Sequence, residues 1–333
     1  VNLFIENWDY LDTSFQRFYI TGVETPKVST GGRRGTLCCD ADTEDGYGGY
    51  LVAGSGNTLI CGAAVAWPSA SGFGRIFGIG DPTASGMVNI FISALDDGSL
   101  AVYRYPNTIL ALSPAGVLAL GGAYNYVEAK VSIASGSSGM VQVRVNGQPV
   151  ISLNAVNTFY AGSLTPNLVF IYPQGRRRYD DLYINSALGL YNYDFEGDVR
   201  IDTHYPNANG NSSQWNRSAG TLQFETIDEH PPDEDTTFNF TDTAGNKDTL
   251  GIQALIPVFA GIRSVALVHR MRPESGTIDV TPVVRSAAVD HDGTLFTIAS
   301  GYEYYQTIYE TDPATVVPWT DAGFDAAEWG YKK

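Results

Sequence analysis

The chain has 333 residues, 36 Asp and Glu against 20 Lys and Arg, and a formal charge of −16. That charge repels phosphate and excludes nucleic-acid binding, and no apolar run approaches the ~18 residues of a membrane-spanning helix. Only 17% of residues are charged and 36 are glycine, a balance that favours short strands and tight turns over long solvated helices. The length suggests about two domains.

The first half reads as a procession of strands. "GYLVAGSGNTLICGAAVAWP", "GRIFGIGDP", "MVNIFISALDDGSLAVYRYP" and "YNYVEAKVSIASGSSGMVQVRVNGQPVISLN" alternate or run apolar, and each run is broken by Gly, Asn, Asp, Ser or Pro. In the last of these, Val141, Val143 and Val145 share one face, and Asn146-Gly147 supplies the favoured two-residue hairpin turn. No helical period is sustained before residue 190, so this half is expected to be an antiparallel sandwich. Its three cysteines, Cys38, Cys39 and Cys61, are odd in number and show no CxxC spacing. Buried thiols are expected, with a bridge from Cys61 to either neighbour left open. "CCDADTEDGYGG" sets Asp40, Asp42, Glu44 and Asp45 before Gly46. The glycine falls one residue late for an EF-hand and no terminal Glu follows, so a solvated acidic loop is expected.

"YNYVEAKVSI…GMVQVRVNGQPVISLN…NLVFIY…RRRYDDLYIN" resembles the concanavalin A-like, laminin-G-like jelly-roll family. The resemblance implies that "LFIENWDYLD" opens the fold and that Asp180-Asp181-Leu182-Tyr183-Ile184 returns beside it. Such folds sometimes hold a metal near these aspartates, although Asx-type turn bonding explains them more simply. The scaffold serves lectins, glycanases and structural modules alike.

After "NSALGLYNYDFEGDVR" the pattern changes. A strand is expected at "DFEGDVRIDTHYP", followed by an acid- and proline-rich connector and strands in "LGIQALIPVFAGIRSVALVHRMRPE", "TIDVTPVVRSAAVD" and "YYQTIYETDP". "DHDG" at 290–293 reads as a hairpin turn. "TDAGFDAAEWG" reads as a short helix capped by Thr320 or Asp321, with Phe324 and Trp329 near one face. The stretch 194–333, with "GDVRIDTHYPN…IDEHPPDEDTTF…VTPVVRS…YYQTIYETDPATVVPWTDAGFDAAEWGYK", resembles a C-terminal module of virion proteins of tailed bacteriophages. The resemblance implies a structural role on a particle.

Catalytic motifs are sparse. The Glu-x-Asp-x-x-Glu pattern of jelly-roll glycanases is missing, and Glu6 and Asp9, the nearest pair, fall on opposite strand faces. The four histidines form no HExxH, and neither GxSxG nor a Walker loop occurs. The expected protein is therefore non-enzymatic, with no metal or other cofactor. Trp67, Tyr103, Tyr105, Tyr172 and the run Arg176, Arg177 and Arg178 are candidates for contact with a glycan or an anion. Trp319, Phe324, Trp329 and Tyr331 are candidates for docking or self-association.

The resulting expectation is an all-β chain of two antiparallel, jelly-roll-like sandwiches, residues 1–192 and 193–333. It would be a virion structural protein exposed on a tail, fibre or baseplate and touching host-surface polysaccharide. Capsid decoration and a carbohydrate-binding or depolymerase protein are the alternatives. Partners would be other virion proteins and copies of the chain itself, as a trimer, with assembly in the host cytoplasm. No signal peptide is read at the start and no membrane insertion is expected.

Overall fold

The computed structural model describes residues 1–11, 20–21, 26–41, 46–54, 56–67, 74–83, 87–255, 261–299 and 301–333. The protein is all-β, with antiparallel sheets throughout and one short α-helix among the described residues. It divides into two compact units, the first ending at Asp202 and the second resuming at Thr203.

The first unit is a sandwich of an eight-stranded and a seven-stranded sheet. The larger sheet runs, in spatial order, Gln148–Val156, Gly139–Val145, Tyr124–Ser132, Thr58–Ala66, Arg178–Ser186, Leu37–Asp40 and Lys27–Thr30, with Asn2–Glu6 also paired to Arg178–Ser186. The smaller runs Thr108–Leu112, Leu100–Arg104, Val88–Ala94, Gly74–Gly80, Leu168–Ile171, Gly48–Leu51 and Ile20–Thr21. The expected hairpin forms: Val141, Val143 and Val145 are buried, and Asn146 (φ 50°) and Gly147 (φ 77°) make the left-handed turn. The opening strand pairs with the closing one, Phe4 opposite Ile184 and Glu6 opposite Leu182. Cys38, Cys39 and Cys61 are free thiols, all buried.

Residues 193–202, expected to begin the second half as a strand, instead lie on the outer face of the larger sheet. Phe195 and Val199 pack there against Ile60, Ala64, Tyr126 and Tyr183. The Gly197 amide donates to the buried Glu128 carboxylate at 2.9 Å, and the Ile201 amide donates to Asp181 at 2.8 Å. Without this segment the sheet would expose an apolar face with buried carboxylates in it, so the segment folds with the first unit.

In the second unit a six-stranded sheet has the order Pro206–Ser213, Lys247–Ile252, Glu328–Lys332, Ile278–Ser286 and Val289–Asp292, with Phe296–Ile298 also on Ile278–Ser286. A separate pair, Val265–Met271 with Glu303–Tyr309, contributes its inner side chains to the core. Alternation along the latter strand holds: Tyr305 stacks on Phe296 at 4.4 Å and Tyr309 packs on Trp329 at 6.1 Å. The Thr320 side chain caps helix Asp321–Ala326 by accepting from the Gly323 amide at 3.0 Å. Trp329 leaves the helix and enters the strand Glu328–Lys332.

That last strand sits between two neighbours, so its side chains face the core on the covered side. Trp319, Phe324, Trp329 and Tyr331 are 3–6% exposed. Trp329 lies 5.2 Å from Trp319 and 5.6 Å from Phe324, and Tyr331 lies 4.7 Å from Trp215. The expectation of a docking patch built from these four side chains is corrected: they are the interior of the unit, and their apolar area is already spent on folding. "DHDG" is corrected as well. It lies on the strand Val289–Asp292 and its exit, and the turn before it is Ala287-Ala288, at φ 49° and 63°.

Candidate functional site

The smaller sheet of the first unit presents two different faces. Ile90, Ile92, Val102, Val169, Ile171 and Ile79 point into the sandwich and are fully buried. Residues alternating with them face away, because successive strand side chains point to opposite sides. Cross-strand register sets Phe170 opposite Gly78, Gly78 opposite Phe91, Phe91 opposite Tyr103 and Tyr103 opposite Ile109. Five strands thus contribute one continuous row.

Glycine at 78 is what lets the row close up. A β-carbon there would stand 2.8 Å from the Tyr172 hydroxyl and 3.3 Å from the Phe170 β-carbon. The Tyr172 ring occupies that space, 6.2 Å from Phe91 and 6.0 Å from Phe170. Tyr47 approaches Phe170 and Tyr172 at 5.7 and 5.9 Å, and Tyr105 lies 6.2 Å from Phe91 and 4.7 Å from Tyr160. These separations lie within the range of favourable aromatic pairs. Phe91, Phe170 and Tyr172 form a buried floor, whereas Tyr47, Tyr103 and Tyr105 are half-buried and Tyr160 is exposed.

Arg75, paired across the sheet with Ser93, is exposed and places its guanidinium 3.9 Å from the Phe91 centroid and 5.8 Å from that of Tyr172. No ion pair among the described residues involves it, and none of the side chains in the aromatic cluster is acidic. Burial pushes the Tyr172 hydroxyl above the usual tyrosine range, while Arg75 pulls it back. In a protein of charge −16 this is an aromatic surface with a cation on it. Its open rings, Tyr47, Tyr103, Tyr105 and Tyr160, can stack on flat apolar sugar faces, and Arg75 can pair with a carboxylate or sulfate.

Of the residues expected to touch a glycan or anion, Tyr103, Tyr105 and Tyr172 lie on this face and the rest do not gather there. Trp67 is 2% exposed and belongs to the core. Arg177, at 3%, donates inward to the carbonyls of Arg75 and Tyr172 and stands 5.5 Å from the Trp67 ring. Arg178 is half-buried against Gly31, and Arg176 alone of the three is exposed. The idea of a basic patch is therefore corrected, since strand alternation and a tight turn send the three guanidinium groups in different directions. Arg75, Phe91, Phe170, Tyr47 and Tyr160 were not singled out from sequence; only the pairing of distant strands brings them together.

The acidic candidates have structural roles. Asp181, fully buried, accepts from Arg34 at 2.9 Å and from Arg33 at 3.4 Å. Asp180 accepts from the Arg33 and Asp181 amides at 2.7 and 2.8 Å, and burial next to Asp181 raises its pKa to about 7. Asp9 accepts from the Leu37 amide at 2.9 Å and is raised by burial to about 6. No group of His, Cys, Asp and Glu among the described residues is placed to hold a metal. Asp42, Glu44 and Asp45 lie outside the described residues. Asp290 pairs with Lys247 and, at 2.8 Å, with Arg285.

No family model matches the chain and no curated protein does. Among solved structures, alginate lyase Aly36B, as a double mutant in complex with alginate trisaccharide, matches at 17% identity and TM-score 0.41, covering 56% of this chain and 98% of its own. The PL-14 alginate lyase from Aplysia kurodai matches at 12% and 0.40, covering 56% and 99%. The carbohydrate-binding module CBM66 from Bacillus subtilis matches at 12% and 0.31, covering 50% and 94%. Identities and scores this low carry no argument about substrate or chemistry. The expectation of a non-enzymatic protein is corrected: missing glycanase motifs do not speak to lyase chemistry, and alginate lyases are among the matched structures.

Proposed function

We propose that this chain binds a polysaccharide along the aromatic face of its first unit, with Arg75 favouring acidic sugar residues. The observation that carries the reading is the exposed guanidinium stacked on Phe91, in a row that continues to Tyr103 on one side and Phe170 on the other. Aromatic rings offer large rigid contact area, and an arginine on an aromatic floor keeps its charge, and the donors not turned to Tyr172, for a ligand. The carbohydrate-binding module and the alginate lyases among the matched structures are in keeping with this choice without deciding it. The test is calorimetric titration of the protein with alginate, polygalacturonate and hyaluronate against neutral dextran. Reducing-end and unsaturated-product assays on the same mixtures read out depolymerisation. Binding to at least one acidic chain and weaker binding to dextran support the reading; no binding to any overturns it.

For the setting of this activity, the resemblance of residues 194–333 to tailed-phage modules supports a place on a virion surface. Other virion proteins and further copies of the chain, as a trimer, would then be its partners. Quantitative mass spectrometry of purified particles tests this: three to twelve copies fit a tail, tens to hundreds a capsid decoration, and none overturns the setting.

A further inference from the structure

Residues 157–166 link the strand Gln148–Val156 of one sheet to the strand Leu168–Ile171 of the other. They have no regular structure, yet buried side chains hold them at three points. Thr158, fully buried, donates to the Ser132 carbonyl at 2.7 Å and accepts from the Ala134 amide at 2.9 Å. Asp81, 3% exposed, accepts from the Ser163 amide at 2.7 Å. Between them Asn89, fully buried in the strand Val88–Ala94, accepts at Oδ1 from the amides of Tyr160 at 2.6 Å and Ala161 at 3.1 Å.

Asn89 also holds the other partner of Tyr160. Its backbone carbonyl accepts from the Tyr105 amide at 2.9 Å. One residue therefore fixes both chain segments whose rings meet at 4.7 Å. The arrangement has a cost: Asn89 Nδ2 is buried with no partner among the described residues, and an unsatisfied buried donor is destabilising. An apolar residue would remove that cost but would release the Tyr160 amide. Meanwhile Tyr160 remains 41% exposed although its backbone is pinned. A loop built only for packing would turn this ring inward.

We propose that Tyr105 and Tyr160 form a second ring-binding position at the border of the aromatic face, and that Asn89 is its positioning residue. This rests on the polysaccharide reading above and extends it: the ligand is a chain long enough to pass from Arg75 and Phe91 to Tyr160. Preorganisation of an exposed ring removes part of the ordering cost of binding.

The test is calorimetry with size-fractionated alginate oligosaccharides, dimer to octamer, on the full chain. Wild type should bind longer oligomers more tightly than short ones. Tyr160→Ala should abolish about a three- to tenfold gain with length, weakening the longest oligomers far more than the shortest. Asn89→Ala should do the same, and Asn89→Asp, which keeps both accepted hydrogen bonds, should restore the gain. Should Asn89→Ala fail to fold, Tyr160→Ala decides the second position and Asn89→Asp decides the positioning role, which a lost length gain in a folded Asn89→Asp protein overturns. A length gain that survives Tyr160→Ala overturns the second position but leaves the first intact, provided Arg75→Ala still weakens every oligomer. Absence of binding by wild type overturns both.

Discussion

The Tyr172 ring lies across Gly78, so close that a β-carbon at 78 would be 2.8 Å from its hydroxyl oxygen. The contact explains the glycine at 78, set between the inward-facing Phe77 and Ile79 of the strand Gly74–Gly80. Gly78→Ala should push Tyr172 off the sheet and destabilise the first unit by about 1–3 kcal/mol, the usual cost of overpacking. Differential scanning calorimetry should show the loss in one transition only, and glycan affinity should fall with it.

The aromatic end of the chain is interior to the second unit. Trp329→Ala removes a 4%-exposed side chain that touches Trp319, Phe324 and Tyr309, and should cost about 3–5 kcal/mol. Truncation after Thr311 removes the strand Glu328–Lys332 from between its two neighbours and should unfold the second unit outright. Residues 1–202 should keep a cooperative melt. Loss of that melt in the truncated protein would contradict the division into two units.

Acid should act on the two units with opposite sign. His269 is buried, and its pKa is lowered from 6.5 to about 4. Below pH 6.5 the unfolded chain binds a proton that the folded site refuses, so the second unit loses stability as pH falls from about 6.5 to 4, by up to ~3 kcal/mol. Asp180 and Asp9 are raised to about 7 and 6 by burial. Folding there favours the protonated form, so the penalty is full above pH 7 and is relieved as pH falls toward 4. Between pH 7 and 5 the melting temperature of the first unit should rise and that of the second should fall. His269→Gln should flatten the second slope and leave the first.

Ala287 and Ala288 both take left-handed backbone in a two-residue turn, which costs an L-residue roughly 1–2 kcal/mol. Asn-Gly prefers that geometry. The double change Ala287→Asn and Ala288→Gly should stabilise the second unit by about 1 kcal/mol, read as a rise of several degrees in its transition.

Local features were the legible ones. The valines at 141, 143 and 145, the Asn146-Gly147 turn and the Thr320 cap each depend on residues a few positions apart, and each appears where spacing places it. The aromatic face depends on Gly78, Phe91, Tyr103 and Phe170 meeting across four strands. That register is set by tertiary pairing, and no local pattern records it. Trp67 and Tyr103 look alike in sequence, as aromatics at strand ends; only alternation against a buried sheet sends one inward and leaves the other half-open. The Ala287-Ala288 turn escaped notice because alanine carries no turn signal, whereas the nearby Asp-Gly does.

We propose that Arg75 and the aromatic row form one polysaccharide surface. The most direct measurement is the affinity of wild type, Arg75→Ala and Tyr103→Ala for acidic polysaccharide, with melting temperatures recorded alongside. Both side chains reach solvent, so both variants should melt within a few degrees of wild type. Each should bind about three- to tenfold more weakly, and added salt should reduce the Arg75 effect more than the Tyr103 effect. Equal affinity of all three proteins for an acidic chain that wild type binds would contradict the claim.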